Sequence, residues 1–178
     1  MIVVKDSFFE NFDIIEKYFK DIPLYSGNEW SNKFGGNSGG GYWPGSRSQH
    51  LYETNPFLWA LIAKEIKEKY SDIINWPPKI LDTYTHLRLK EDDQKDSPHQ
   101  DLDTRYTLMV YLSDTNLQSG TCFYQKANQG YVDSEPITTV NFVKNMAVLF
   151  SGSLYHKSKF NYGTNINNGR LTLNCFIS

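Results

Sequence analysis

The strongest constraint on the fold is a change of period at Pro77-Pro78. Beyond it, large apolar residues recur at alternate positions in short segments: 80–89, 104–113, 121–125, 136–143, 146–150 and 170–177. Period two, in stretches rich in β-branched and aromatic side chains, marks strands with one buried face. Clusters of Asn, Asp, Ser and Gly join them, with no helical pattern between. Several short strands without crossover helices predict an antiparallel sandwich or barrel. At 178 residues there is room for about one domain. The chain therefore reads as a single unit, with 79–178 forming the β core and 1–78 supporting it.

Two helices are expected before Pro77. Phe8, Phe12, Ile15 and Phe19 fall on one helical stripe within 6–20, with Asp6 or Ser7 as the N-cap. Asn55 and Pro56 open a second helix to Tyr70, whose buried face would be Leu58, Leu61, Ile62, Ile66 and Tyr70. The run Lys64–Lys69 reads as its wet face. Both helices should pack on one outer sheet, making a mostly β protein with flanking helices. Seven of the twelve glycines lie in 27–48, but no Gly-Lys-Ser/Thr ending makes this a phosphate loop. It is either a flexible connector or a lid, and Trp43 and Arg47 give it an aromatic and a cation for a substrate.

Charge excludes some partners. Eighteen basic side chains stand against twenty acidic, and only four are Arg. That lacks the clustered cations of a nucleic-acid binder. Apolar runs such as Met146–Phe150 are far short of the ~18 residues needed to cross a bilayer, so no membrane partner is expected. The N-terminus lacks a signal-peptide pattern. Cys122 and Cys175, both in apolar segments, read as free buried thiols of a cytoplasmic protein.

Three side chains point to a metal. His99 and Asp101 are two apart in Pro98-His99-Gln100-Asp101, so in extended chain they project to one side. His156 follows the apolar strand 146–150 and can arrive from elsewhere in the barrel. Two imidazoles and one carboxylate form the facial triad that binds non-haem Fe(II) and leaves positions open. Asp103 shares the parity of Asp101 and competes with it, though the tighter spacing favours Asp101. In 170–174, alternation puts Arg170, Thr172 and Asn174 on one face, and a buried guanidinium there needs an anion. His50 and His86 read as structural or loop residues. Taken singly, His99 and His156 can be loop histidines, Arg170 a surface cation at a strand start, Tyr111 a core tyrosine and Thr172 an ordinary strand residue.

The ordered set His99-Gln100-Asp101, the strand 106–112, Ser119-Gly120-Thr121, Val148-Leu149-Phe150 leading to His156, and Arg170-Leu171-Thr172 resembles the Fe(II)- and 2-oxoglutarate-dependent dioxygenases, in their prolyl-hydroxylase-like branch. The resemblance spans roughly 80–177. It implies a double-stranded β-helix, the jelly-roll or cupin-like barrel, with Fe(II) on His99, Asp101 and His156. It further implies 2-oxoglutarate held by Arg170, with Thr172 and Tyr111 assisting, and O2 as co-reactant. The parity of His99, Asp101, Met109 and Tyr111 would set them on one face of an unbroken strand. The implied reaction hydroxylates a C–H bond of a peptide, amino acid or small metabolite, releasing succinate and CO2. The charged segment 90–96 departs from the pattern and blurs the alignment of strand 84–89. Two other classes remain: a cupin-like binding module without turnover, and a Zn-dependent hydrolase or isomerase.

Overall fold

In a computed structural model, residues 1–34, 43–125 and 135–178 are described. Alternation in the second half becomes two antiparallel sheets. Seven strands form the larger, in the order β1 (Ile2–Lys5), β8 (Ala147–Ser151), β5 (Tyr106–Tyr111), β10 (Arg170–Ile177), β4 (Leu81–Arg88), β3 (Ser46–Arg47) and β2 (Tyr25–Ser26). Three form the smaller: β7 (Thr138–Phe142), β6 (Asn116–Tyr124) and β9 (Tyr155–Ser158). The middle strand of the larger sheet, β10, pairs with β4 along its whole length and with β5 from Thr172 to Ile177.

Period two sorts the larger sheet into two faces. Leu171, Leu173, Cys175 and Ile177 of β10 join Leu108 and Val110 of β5 on the outer face. There they pack against α1 (Phe12–Lys20) and α4 (Pro56–Tyr70) through Phe12, Phe19, Leu58, Ile62 and Ile66. The other face of β10 carries Arg170, Thr172 and Asn174, which with Tyr84, His86 and Arg88 of β4 wall a cavity. A second apolar cluster joins the two sheets: Tyr111, Val148 and Phe150 from one, Phe123 and Phe142 from the other.

Asn55 caps α4 as expected, its Oδ1 accepting from Leu58 N–H at 3.1 Å with Pro56 at the first turn. The first helix differs. It starts at Phe12, because the chain turns at Ser7 (φ 52°) and Asn145 takes the backbone of the next residues. Asn145 Oδ1 accepts from Phe9 N–H at 2.9 Å and its Nδ2 donates to Phe9 O at 2.8 Å. A distant side chain thus satisfies amides that a helix start at residue 6 would have claimed. Nor is Lys64–Lys69 wholly wet: Glu65 is buried beside Lys69, 3.0 Å away.

The glycine-rich stretch holds α2 (Gly27–Phe34) and β3, followed by α3 (Leu51–Thr54); its centre, 35–42, lies outside the described residues. Strands β1, β2, β3 and β9 are too short to register as alternation. Cys122 and Cys175 are free and buried. Among the described residues no helix is long and apolar enough to cross a membrane.

Candidate metal centre

Two strand ends and a bend bring three donors together. His99 and His156 form an isolated antiparallel bridge in which each backbone N–H reaches the other's carbonyl, at 3.0 and 2.9 Å. Two residues on, Asp101 N–H donates to Gly152 O at 2.8 Å. The donor atoms of His99, Asp101 and His156 then lie within 4.8 Å of one another. Asp103 is not part of this group. The backbone turns between Asp101 and Thr104, through Thr104 N–H to Asp101 O at 3.1 Å, and β5 starts only at Tyr106. The unbroken strand expected from parity is therefore interrupted.

Hydrogen bonding fixes which imidazole nitrogens are available. His156 Nδ1 lies 3.0 Å from Leu154 O, and His99 Nδ1 lies 3.0 Å from Ser97 O. A carbonyl only accepts, so each Nδ1 carries the proton and each Nε2 keeps its lone pair for a metal. Burial, with the neighbouring His99 adding to it against the pull of Asp101, holds the His156 pKa down to about 4. Near neutral pH that ring is the uncharged, ligating form. It packs at a tilt against Phe150 (4.6 Å) and Phe123 (6.4 Å).

Asp101 is oriented too. Its Oδ2 accepts from Thr107 Oγ1 at 2.7 Å, leaving Oδ1 without a hydrogen bond. Gly152 makes the approach possible: a Cβ there would meet Thr104 O at 2.4 Å and Asp101 O at 2.5 Å. Neither residue stood out in the sequence. Thr107 shares the parity of Asp101, but only the structure shows that it reaches the carboxylate.

The donors open into a cavity of about 640 Å³ that is also lined by Arg170, Thr172, Arg88, Arg47, His86 and Trp43. Arg170 is 2% exposed and has no carboxylate partner among the described residues. Its contacts are weak: Nη2 to Gly120 O at 3.4 Å and to Met109 Sδ at 3.6 Å, with Nε unpaired. Burial pulls its pKa down to about 10, so the guanidinium is still charged. A buried cation with such partners is costly unless an anion meets it. Thr172 donates from Oγ1 to His86 O at 3.3 Å on the same wall.

Tyr111 stands behind this wall. Its hydroxyl is 2.8 Å from Thr121 Oγ1, its ring stacks on Phe142 at 4.3 Å, and the Arg170 guanidinium lies 5.9 Å from its centroid. It does not line the cavity. A carboxylate on Arg170 would have to compete with Thr121 for this hydroxyl.

The charged segment 90–96 holds a 3-10 helix, Lys90–Lys95, and ties loops to the cavity wall. Asp92 accepts from Gly45 and Leu89 N–H, Asp93 from Asn161 N–H, and Asp96 from Ser158 N–H while ion-pairing with buried Arg88. His50 ion-pairs with Asp82 at the cavity edge, and His86 hydrogen-bonds Pro44 O at 2.7 Å. Both have structural partners, yet both face the cavity.

No family model matches the chain, and no curated protein matches it. Solved structures do. HygX from Streptomyces hygroscopicus, with nickel and 2-oxoglutarate bound, superposes with a TM-score of 0.67 at 13% identity, over 98% of this chain and 82% of that one. A prolyl-4-hydroxylase from Pseudomonas putida gives 0.55 at 12% identity, over 99% and 91%. SnoN, a non-haem 2-oxoglutarate-dependent epimerase of nogalamycin biosynthesis, gives 0.61 at 13%, over 99% and 77%. At these identities what is shared is architecture. The chain has the fold of the Fe(II)/2-oxoglutarate oxygenases.

Proposed function

We propose that this protein is an Fe(II)- and 2-oxoglutarate-dependent dioxygenase of the prolyl-hydroxylase-like branch, hydroxylating a C–H bond of a small molecule, amino acid or peptide. The single observation that carries the reading is the convergence of the His99, Asp101 and His156 donors on a cavity that also holds the buried Arg170, which has no carboxylate partner among the described residues. The whole chain acts as one domain, with its two sheets closing as a double-stranded β-helix. The fold likeness supports the reaction class, and HygX with hygromycin B bound shows that this architecture can take a small molecule. Two buried free thiols suit a reducing compartment such as the cytoplasm.

The donor set fits the metal. Neutral imidazoles suit Fe(II), one carboxylate offsets part of its charge, and three protein ligands leave room for others. Asp101 would bind through its carboxylate, which Thr107 orients by donating to Oδ2. Arg170 fits the far carboxylate of a diacid, since a guanidinium offers paired N–H donors and this one has none better engaged. Thr172 stands beside it, and Tyr111 supports the guanidinium from behind. When bound, iron and 2-oxoglutarate supply the oxidising power, with O2 consumed and succinate and CO2 released. The protein's own work is to aim the diacid, hold the Nδ1 atoms of His156 and His99 on backbone carbonyls so that Nε2 is the ligating atom, and exclude water with the cavity wall.

Anaerobic addition of Fe(II) and 2-oxoglutarate should give a visible charge-transfer band that is lost in His99→Ala. No band with the unaltered protein would sink the reading. A zinc hydrolase on this barrel has no use for Arg170, so activity surviving Arg170→Gln would favour that class instead.

A further inference from the structure

Three guanidinium groups line the cavity, and their partners differ. Arg88 is neutralised by Asp96. Arg170 is assigned above to the diacid. Arg47 has no carboxylate partner among the described residues. It pairs in register with His86, so its side chain shares the cavity face of β4. Its guanidinium lies over the Trp43 ring at 4.5 Å and the Tyr84 ring at 4.9 Å, and its buried Nε has no acceptor.

That setting holds a cation in place without neutralising it. Two ring faces attract the guanidinium and stop it swinging into water, yet their attraction consumes none of its N–H donors. Burial lowers the Arg47 pKa, with Tyr84 and Asp101 opposing, but an arginine remains protonated at ordinary pH. The carboxylate of Asp82 at the cavity edge is taken by His50. Strand β4 lies between β3 and β10, and Arg47 is in line with Thr172, so the backbones bearing Arg47 and Arg170 are about 12 Å apart, two strand spacings across and two residues along. One small carboxylate cannot serve both. A single unpaired charge matches a monoanion, and the planar fork matches a carboxylate's two oxygens.

We infer that the substrate is a carboxylic acid, held by Arg47 through its carboxylate and packed against Trp30, Trp43 and Phe176, in the same cavity as the metal centre but apart from the diacid on Arg170. The inference deepens the oxygenase reading and rests on it for the chemistry, though not for the binding. A substrate tethered by its acid at the rim presents its body, not its carboxylate, to the donors of His99, Asp101 and His156.

The test is tryptophan-fluorescence titration of the metal-free protein with three acids, phenylacetate, cyclohexanecarboxylate and N-acetyl-L-phenylalanine, each against its carboxamide, and with phenyl phosphate. At least one acid should bind 10-fold or more tighter than its amide. Arg47→Gln should abolish that preference and Arg47→Lys retain part of it. Repeating the titration with saturating Mn(II) and 2-oxoglutarate should leave acid binding unchanged. Equal binding of acids and amides, no binding of any acid, tighter binding of phenyl phosphate, or displacement by 2-oxoglutarate would each overturn the assignment. Because the first titration holds no metal, a failure here is separable from failure to form the iron–diacid band.

Discussion

His99 and His156 sit directly opposite each other, each accepting the other's backbone N–H, so one pair of main-chain hydrogen bonds sets the spacing of two proposed metal ligands. Their rings lie 4.5 Å apart. Two residues on, the Asp101 N–H donates to Gly152 O, outside the register of that isolated bridge, and brings the third donor alongside. Ligand geometry is here a by-product of strand pairing.

That pairing leaves no space at Gly152. In Gly152→Ala the new methyl must push away the carbonyls of Thr104 and Asp101. Mn(II) affinity, read by calorimetric titration, should fall about 10-fold or more, with a stability loss of about 1–3 kcal/mol in urea. Unchanged metal binding would show that Asp101 is not positioned by this contact.

Thr107→Val removes the hydroxyl that holds Asp101 Oδ2 while keeping the side-chain shape. Loss of such a partner costs about 10- to 100-fold in metal affinity in comparable sites. The expected drop is in Mn(II) binding, with 2-oxoglutarate affinity of the metal-saturated protein little altered.

Arg170→Gln should separate the two ligands in the opposite sense. Metal binding should persist, and the 2-oxoglutarate dissociation constant should rise at least about 30-fold, the equivalent of about 2 kcal/mol for a lost buried charge pair. Titration of the iron-loaded variant with 2-oxoglutarate, following the visible band, measures this directly.

Asp96 carries the acid dependence of the wall. Burial alone would raise its pKa, but Arg88 and Ser158 more than offset that and hold it below the usual carboxylate value. A carboxylate depressed in the native state stabilises it above the unfolded value, about pH 4, and loses that contribution as pH falls through the native value. Asp96→Asn should therefore cost about 3 kcal/mol at pH 7 by urea denaturation, leaving Arg88 uncompensated. The gap between the two proteins should close in acid.

Much of this was legible in the sequence where one face of an element meets water or core consistently. Alternation located strands such as β10, where Leu171, Leu173 and Cys175 face a continuous apolar layer. Asn55-Pro56 announced a helix start because the cap is local. The start of α1 was misread because Asn145, far away in sequence, claims the backbone of Phe9. Strand β9, which delivers His156, has four residues and no room to declare a period. The spacing of His99 and Asp101 suggested a shared face, yet the face comes from pairing with 152–156 rather than from a strand running on into β5. Thr107, Gly152 and the Arg88–Asp96 pair escaped notice because their roles exist only between segments.

Because β10 is paired on both edges from Thr172 to Ile177, side chains there cannot be re-aimed without re-registering two neighbours at once. Strand β2, two residues at the sheet edge, is paired on one side only and faces no such veto. A lineage changing its diet would redraw that margin and inherit the arginine-bearing stave intact.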